Sequence, residues 1–347
     1  MSLKPRTFST RASAMKSARV LLTGGAGFIG LGMVRRLLDS GASVTVVDDL
    51  SRGRLDDDAA AVFSRPGIDF VQADLADRSS LDGLGADFET IVHLAAVIGI
   101  QAASREPVRV LRTNALSAIT ITDFWRRCRA RMVFASTSEV YGALPVSAGV
   151  PVPTPEGVPV GIADPGIPRY SYAASKIFGE ALVMQSAASE GLRALVVRPH
   201  NVYGPRMGFD HVIPQMSIRA LRRENPFRVF GPDETRAFCY VDDFCAAVSM
   251  LMESGAEGIF HVGNDRETRI GDLAEMILSL SGHAAPIAGM PSQTGSPARR
   301  CPDISKLREA TGFSPSIALE EGLARTFAWY DAFAACNPSI LDMDATP

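Results

Sequence analysis

The chain has 347 residues, 46% of them hydrophobic and 21% charged. Such a composition builds a packed core and excludes a disordered chain. The length suits two lobes. No apolar run is long enough to span a membrane, and a formal net charge of −3 supplies no broad basic field for nucleic acid. Any anionic ligand must be held by a few placed groups. Five cysteines, at 128, 239, 245, 301 and 336, show no CxxC spacing. They predict free thiols, no metal site and a reducing, cytoplasmic setting.

In chain order, residues 1–18 hold Lys4, Arg6, Arg11 and Lys16, several serines and no acid. They read as a flexible basic extension, with a transit peptide as the alternative and Met15 as a possible second start. Arg19–Thr23 is a short apolar run ending at a glycine cluster. Phe28, Ile29, Met33, Val34, Leu37 and Leu38 then recur at helical spacing up to Gly41. Further β-branched or apolar runs follow at 44–47, 68–71, 90–94, 131–134 and 192–197, with helical patterns between them. Alternating strand and helix predicts an α/β fold, a doubly wound parallel sheet over residues 19–204. Residues 143–169 form a loop with seven prolines, a candidate lid or a plain surface loop. Beyond 205 the rhythm predicts helices near 211–223, 241–253, 270–281 and 318–334. A strand near 258–264 is expected to return to the first lobe, leaving 205–340 as a smaller mixed α/β substrate lobe.

Gly24, Gly27 and Gly30 follow the first strand and open the first helix. That context defines a dinucleotide site: a tight turn, a close approach to the pyrophosphate, and close helix–strand packing. The helix start offers N–H groups and partial positive charge to phosphate. Asp48 closes the second strand, where a carboxylate accepts ribose hydroxyls and repels a 2′-phosphate. Asp49 follows, and the first cation after it is Arg52, so NAD is expected rather than NADP. Asp74 ends the third strand, either beside the adenine or as a strand-end cap.

Tyr172 and Lys176 stand at i and i+4, on one helix face. A phenol that acts as a base near pH 7 must fall ~3 units from its usual ~10, about 4 kcal/mol of differential stabilisation. A neighbouring ammonium and a positive nicotinamide ring supply that. Thr137, Ser138 and Glu139 cluster after the 131–134 run, at the carboxyl edge where open α/β sheets bind ligands. Thr137 is suited to hydrogen-bond the reacting hydroxyl, and Glu139 to general acid–base work or helix capping.

With TGGAGFIG, Asp48-Asp49-Leu50, Ala73-Asp74-Leu75, His93-Leu94-Ala95-Ala96, Asn114, STSEVYG, YAASK, RPHNVYGP, TRAFCYVD and Arg300-Cys301-Pro302-Asp303-Ile304 in this order, the chain resembles the extended short-chain dehydrogenases/reductases. The likeness covers about residues 18–332 and is to their nucleotide-sugar epimerases, dehydratases and decarboxylases. It implies a cofactor site at Gly24, Gly27, Phe28, Ile29, Gly30, Asp48, Asp49, Asp74, Leu75, Leu94, Ala95, Ala96, Asn114, Tyr172 and Lys176. It implies a catalytic set of Thr137, Tyr172 and Lys176, joined by Ser138 and Glu139. It places sugar-diphosphate contacts at Asn201, Arg236 and Arg300. The implied reaction oxidises the sugar 4-hydroxyl to a 4-keto intermediate. Epimerase or dehydratase action on a UDP-sugar is the leading expectation, with UDP-glucuronate decarboxylation as the alternative and a noncatalytic nucleotide-sugar sensor as the alternative of another class. Ser138 stands where dTDP-glucose dehydratases carry an aspartate. The resemblance also implies a homodimer, formed by helices packed as a four-helix bundle.

Overall fold

The computed structural model describes residues 17–142, 149–292 and 297–342. Most of the basic extension and the first residues of the proline-rich loop lie outside them. Ser17 and Ala18, counted above with the extension, belong to the fold. The Ser17 N–H donates to Gly41 O at 3.0 Å and Ala18 is buried, because the first strand pulls its flank against the turn before the second.

The first lobe alternates strand and helix. Its elements are β1 (Arg19–Thr23), α1 (Phe28–Asp39), β2 (Ser43–Asp48), α2 (Asp57–Phe63), β3 (Ile68–Gln72), β4 (Thr90–His93), α3 (Ile100–Arg105), α4 (Pro107–Cys128), β5 (Arg131–Ala135), α5 (Glu139–Gly142), α6 (Ser171–Glu190) and β6 (Arg193–Pro199). The rest comprises β7 (Val202–Tyr203), α7 (Val212–Leu221), β8 (Phe227–Phe230), β9 (Thr235–Ala237), β10 (Cys239–Tyr240), α8 (Val241–Ser254), β11 (Gly258–Val262), β12 (Glu267–Arg269), α9 (Ile270–Ser281), β13 (Ile287–Met290), β14 (Arg299–Arg300), α10 (Ser305–Thr311) and α11 (Leu319–Cys336).

Seven parallel strands form the main sheet in the order β11-β6-β5-β4-β1-β2-β3. The order reverses between β1 and β4, which opens a crevice at the carboxyl edge. Successive side chains of a strand point to opposite faces. Val20 and Leu22 therefore enter one core with α1 and α8, while Leu21 enters the other with Phe124, Trp125 and Phe134. Burial on both faces explains the continuous apolar strands. Helices α4 and α6 lie together on the second face. Trp125 is wholly buried there and its indole N–H donates to Ala130 O at 2.8 Å. Gly179 lets α6 come down on β5, since a Cβ would stand 2.4 Å from Phe134 Cζ.

The strand β11 leaves the second half of the chain and pairs with β6, from Gly258↔Leu195 to Val262↔Pro199. The small lobe carries a three-stranded sheet, β12-β9-β14, in which Arg300 stands opposite Arg236.

Candidate active site

The glycine turn is shaped for close approach. Gly24 has φ +76, and a Cβ on Gly30 would stand 2.0 Å from Gly24 O. A Cβ on Gly24 would collide with Ala95 N at 2.8 Å, so the turn also rests on the β4–α3 loop. Gly27 is the N-cap of α1, with no side chain capping the helix, which leaves its first amides facing the cleft for phosphate. These cradles, which side chains would fill, fit a dinucleotide.

Asp48 ends β2. Its carboxylate accepts from Ala26 N at 3.0 Å and Leu50 N at 2.9 Å. Burial raises its pKa against those two bonds. Asp49, Gln72, Ala73 and Asp74 line a cleft of about 380 Å³ beyond it. The Asp74 carboxylate accepts from Ala76 N at 2.8 Å, a strand-end turn at the edge of that cleft. Leu75 is a core side chain, and Phe28 and Ile29 pack partly against the core. Leu94 N donates to Thr23 O at 3.1 Å and Ala95 N to Thr23 Oγ1 at 3.3 Å. Ala96 continues that wall, half-buried. The Asn114 amide is occupied by protein. It accepts from Val97 N at 2.8 Å and donates to Val97 O and to Ser175 Oγ, each at 3.0 Å. It shapes the wall of the crevice by clamping the β4–α3 loop to α6.

Tyr172 and Lys176 share a face of α6 at the exit of β5. The Lys176 ammonium donates to Ala135 O at 2.7 Å and lies 6.0 Å from the Tyr172 ring centre. Burial brings its pKa down to about 8, against the pull of Glu180. Burial also drives the Tyr172 phenol well above its ordinary value. A hydrogen bond with Thr137 and the charge of Arg52 act downward on it, and Glu139 acts upward. Thr137 Oγ1 also accepts from Glu139 N at 3.2 Å. Ser138 is buried and its N–H donates to Pro199 O at 3.1 Å, which ties the loop after β5 to the end of β6.

Arg300 donates to Glu139 Oε1 at 2.6 Å across 161 positions of sequence. That guanidinium holds the Glu139 carboxyl below the usual range, with Arg169 and Arg236 acting the same way. Arg236 is brought beside Arg300 by the β9–β14 register. It is ion-paired with Glu234 at 2.6 Å and donates to Thr235 O at 2.7 Å. Asn201 adopts φ +42, and its amide donates to Ala237 O at 2.9 Å. It thereby braces β9 from the end of β6.

Several residues of the site had no sequence-based assignment. Glu180 and Arg198 form a buried pair, with Arg198 Nη2 2.6 Å from Glu180 Oε2 and Nε 2.8 Å from Oε1. Ser136 Oγ also donates to Glu180, and Arg198 to the Tyr141 hydroxyl. The signal for Glu180 was present, since it lies one more helical turn beyond Lys176. Arg206, with φ +68, pairs with Asp56 and donates to Ala26 O at 3.1 Å, for which the sequence carried no cue. His211 stands at the N-cap position of α7, without a side-chain cap bond, in the field of Arg52, Asp210 and Glu139. Arg52 is turned away from the Asp48–Asp74 cleft and donates to Ile98 O. Among the described residues no group of three or more His, Cys, Asp or Glu side chains is placed to hold a metal ion.

A doubly wound sheet with a glycine turn, a strand-end aspartate and a Tyr/Lys/Thr cluster at the same crevice defines a dinucleotide-dependent enzyme. Residues 20–263 match the model of the NAD dependent epimerase/dehydratase family, and the chain belongs to that family. It is 32% identical to UDP-glucuronic acid decarboxylase 1 of Arabidopsis thaliana, over 89% of this chain and 69% of that one. It is equally 32% identical to dTDP-glucose 4,6-dehydratase of Streptomyces niveus, over 90% of this chain and 92% of that one. Among solved structures, UDP-glucose 4-epimerase of Thermotoga maritima with UDP-glucose superposes with a TM-score of 0.78 at 28% identity, covering 91% of this chain and 99% of that one. The cofactor of the family is NAD, and these relatives are enzymes of nucleotide sugars.

Proposed function

We propose that this chain oxidises the 4-hydroxyl of a UDP-linked sugar and acts on the resulting 4-keto sugar by epimerisation or elimination. The observation that carries the reading is the convergence of Tyr172, Thr137 and Lys176 at the exit of β5, beside the glycine turn. NAD, when bound, takes a hydride from the sugar and can return it. Tyr172 receives the hydroxyl proton, and Thr137 steadies the phenol and the reacting oxygen. Lys176, fixed on Ala135 O, keeps a desolvated positive charge beside the phenol. Asp48 takes the adenosine ribose, and the Asp49–Asp74 cleft takes the adenine. Asn201 at the end of β6, together with Arg236 and Arg300 of the small lobe, faces the sugar diphosphate.

Decarboxylation of a UDP-uronic acid is the second reading. Three guanidinium groups, on Arg300, Arg169 and Arg236, act on the one carboxylate of Glu139. That positive field suits a substrate carboxylate. Ser138 at the position of a dehydratase aspartate also removes one acid for expelling a 6-hydroxyl. Incubation with UDP-glucose, UDP-GlcNAc and UDP-glucuronate, followed by NMR, separates the outcomes. An inverted C4 supports epimerisation. Carbon dioxide and a UDP-pentose overturn it in favour of decarboxylation. No turnover of any sugar, with NAD retained, leaves the nucleotide-sensing role.

The same reading includes a homodimer through α4 and α6. Val108 and Leu111 on α4 and Phe178 on α6 are exposed hydrophobics, Val108 at 73%, on the two helices that lie side by side.

A further inference from the structure

The loop between β2 and α2 is tied down at both ends, one to the second half of the chain and the other to the loop after β4. At its far end Arg206 holds Asp56 and the carbonyls of Arg54 and Ala26. At its near end Arg52 reaches the other way. Its guanidinium donates to Ile98 O, in the loop after β4. Two glycines clear the space around that head. A Cβ on Gly208 would stand 2.8 Å from Arg52 Nη2, and a Cβ on Gly99 would stand 3.6 Å from Nη1 and 3.4 Å from Asp210 Oδ2. The residue after Arg52 is Gly53, where a Cβ would meet Ala26 Cβ at 2.7 Å and Asp48 Oδ1 at 2.8 Å. Arg52 thus springs from beside the glycine turn, and its charge acts on Tyr172. Its side chain is exposed, because it crosses an open crevice rather than entering a core.

We propose that Arg52 is a clasp across the cofactor crevice, which slows escape of the bound dinucleotide. The proposal rests on the family's cofactor, and not on which sugar is used. Arg52 would supply a guanidinium donor to the dinucleotide held in the crevice, and charge-assisted hydrogen bonds of this kind are the strong ones. Arg206 is the fixed pin of the loop and Arg52 its opening end. The charged and titratable groups facing the clasp are Asp210, His211 and Arg54, and those facing the phenol are Glu139 and Lys176.

The test is release of NADH with no sugar present. Protein loaded with NADH is diluted into excess NAD and the loss of nicotinamide fluorescence is followed in stopped flow. Arg52→Ala is expected to release NADH about tenfold faster or more, the scale of one charge-assisted hydrogen bond. Arg52→Lys falls between it and the parent. Gly208→Ala keeps the charge but drives a methyl group against Nη2, so it also speeds release while leaving the thermal midpoint unchanged. Release within twofold of the parent in all three variants overturns the clasp. A chain that turns over none of the tested sugars still gives the NADH result, so failure of the clasp and failure of the sugar assignment are read separately.

Discussion

Lys176 carries two opposing demands. Its ammonium is useful to Tyr172 because it is desolvated, and desolvation is what brings its pKa from 10.5 to about 8. A base whose folded value lies below its unfolded one is a stabiliser only at alkaline pH. That contribution is complete above 10.5 and is lost as pH falls through about 8, so at pH 7 the charge opposes folding. Lys176→Met is therefore expected to raise stability at pH 7 by ~1–3 kcal/mol while abolishing turnover. Urea unfolding and an NMR assay check the two halves. Tyr172→Phe leaves NADH binding intact and removes turnover by ~10²-fold or more. Glu139 is the opposite case. Arg300 holds its carboxyl low, so Arg300→Gln lets that pKa rise and moves the acidic limb of the pH–rate profile to higher pH. A limb that stays in place rules out Glu139 as the group it reports. At this scale the sequence exposed the local relations and hid the remote ones. Tyr172 with Lys176, and Gly24 with Gly30, are set by spacing within one turn or helix. Glu139 with Arg300, and Arg52 with Ile98, are brought together by strands and loops far apart in the chain, which no periodicity encodes.

Helix α6 is where local geometry meets chemistry. Its packing distance from β5 is fixed by Gly179, whose missing side chain admits the Phe134 ring. Gly179→Val is expected to push α6 off the sheet, lowering stability by about 1–3 kcal/mol and moving Tyr172 and Lys176 away from Thr137. The check is a turnover loss well beyond what the shift in urea midpoint explains. At the next position, one turn beyond Lys176, Glu180 pairs with Arg198 in full burial. Replacing Arg198 by Met strands a carboxylate in the core and is expected to cost ~3–5 kcal/mol, read by thermal unfolding. The helical and strand patterns of the first lobe were legible because both sheet faces are buried, which makes each strand an unbroken apolar run. The small lobe was less so. Its strands β9, β12 and β14 are two or three residues long, too short to print a period, and they carry Arg236 and Arg300.

The division at 204/205 read from the rhythm of the sequence is crossed by the main sheet, since β11 completes the sheet of the first lobe from inside the second half. Expression of residues 19–204 alone is expected to give insoluble or molten protein, checked by gel filtration and near-ultraviolet circular dichroism. A well-packed monomer would contradict it. At the next level up, Phe178→Glu places a charge on the exposed face of α6 and is expected to shift sedimentation toward the monomer. An unchanged sedimentation coefficient counts against that face as the dimer contact.

The returning strand also has a consequence in time. During synthesis β6 emerges with its outer edge bare, and the strand that will cover it is encoded well beyond it. Until Gly258–Val262 has left the ribosome, a nearly finished hydrophobic sheet presents open backbone groups to any other extended chain. The stretch between β6 and β11, from β7 to α8, is thus a waiting period built into the chain order. Slow translation between these two strands lengthens exposure of the edge, whereas a circular permutant that opens near residue 264 and joins the ends leaves β6 and β11 in the same late stretch and does not shorten it.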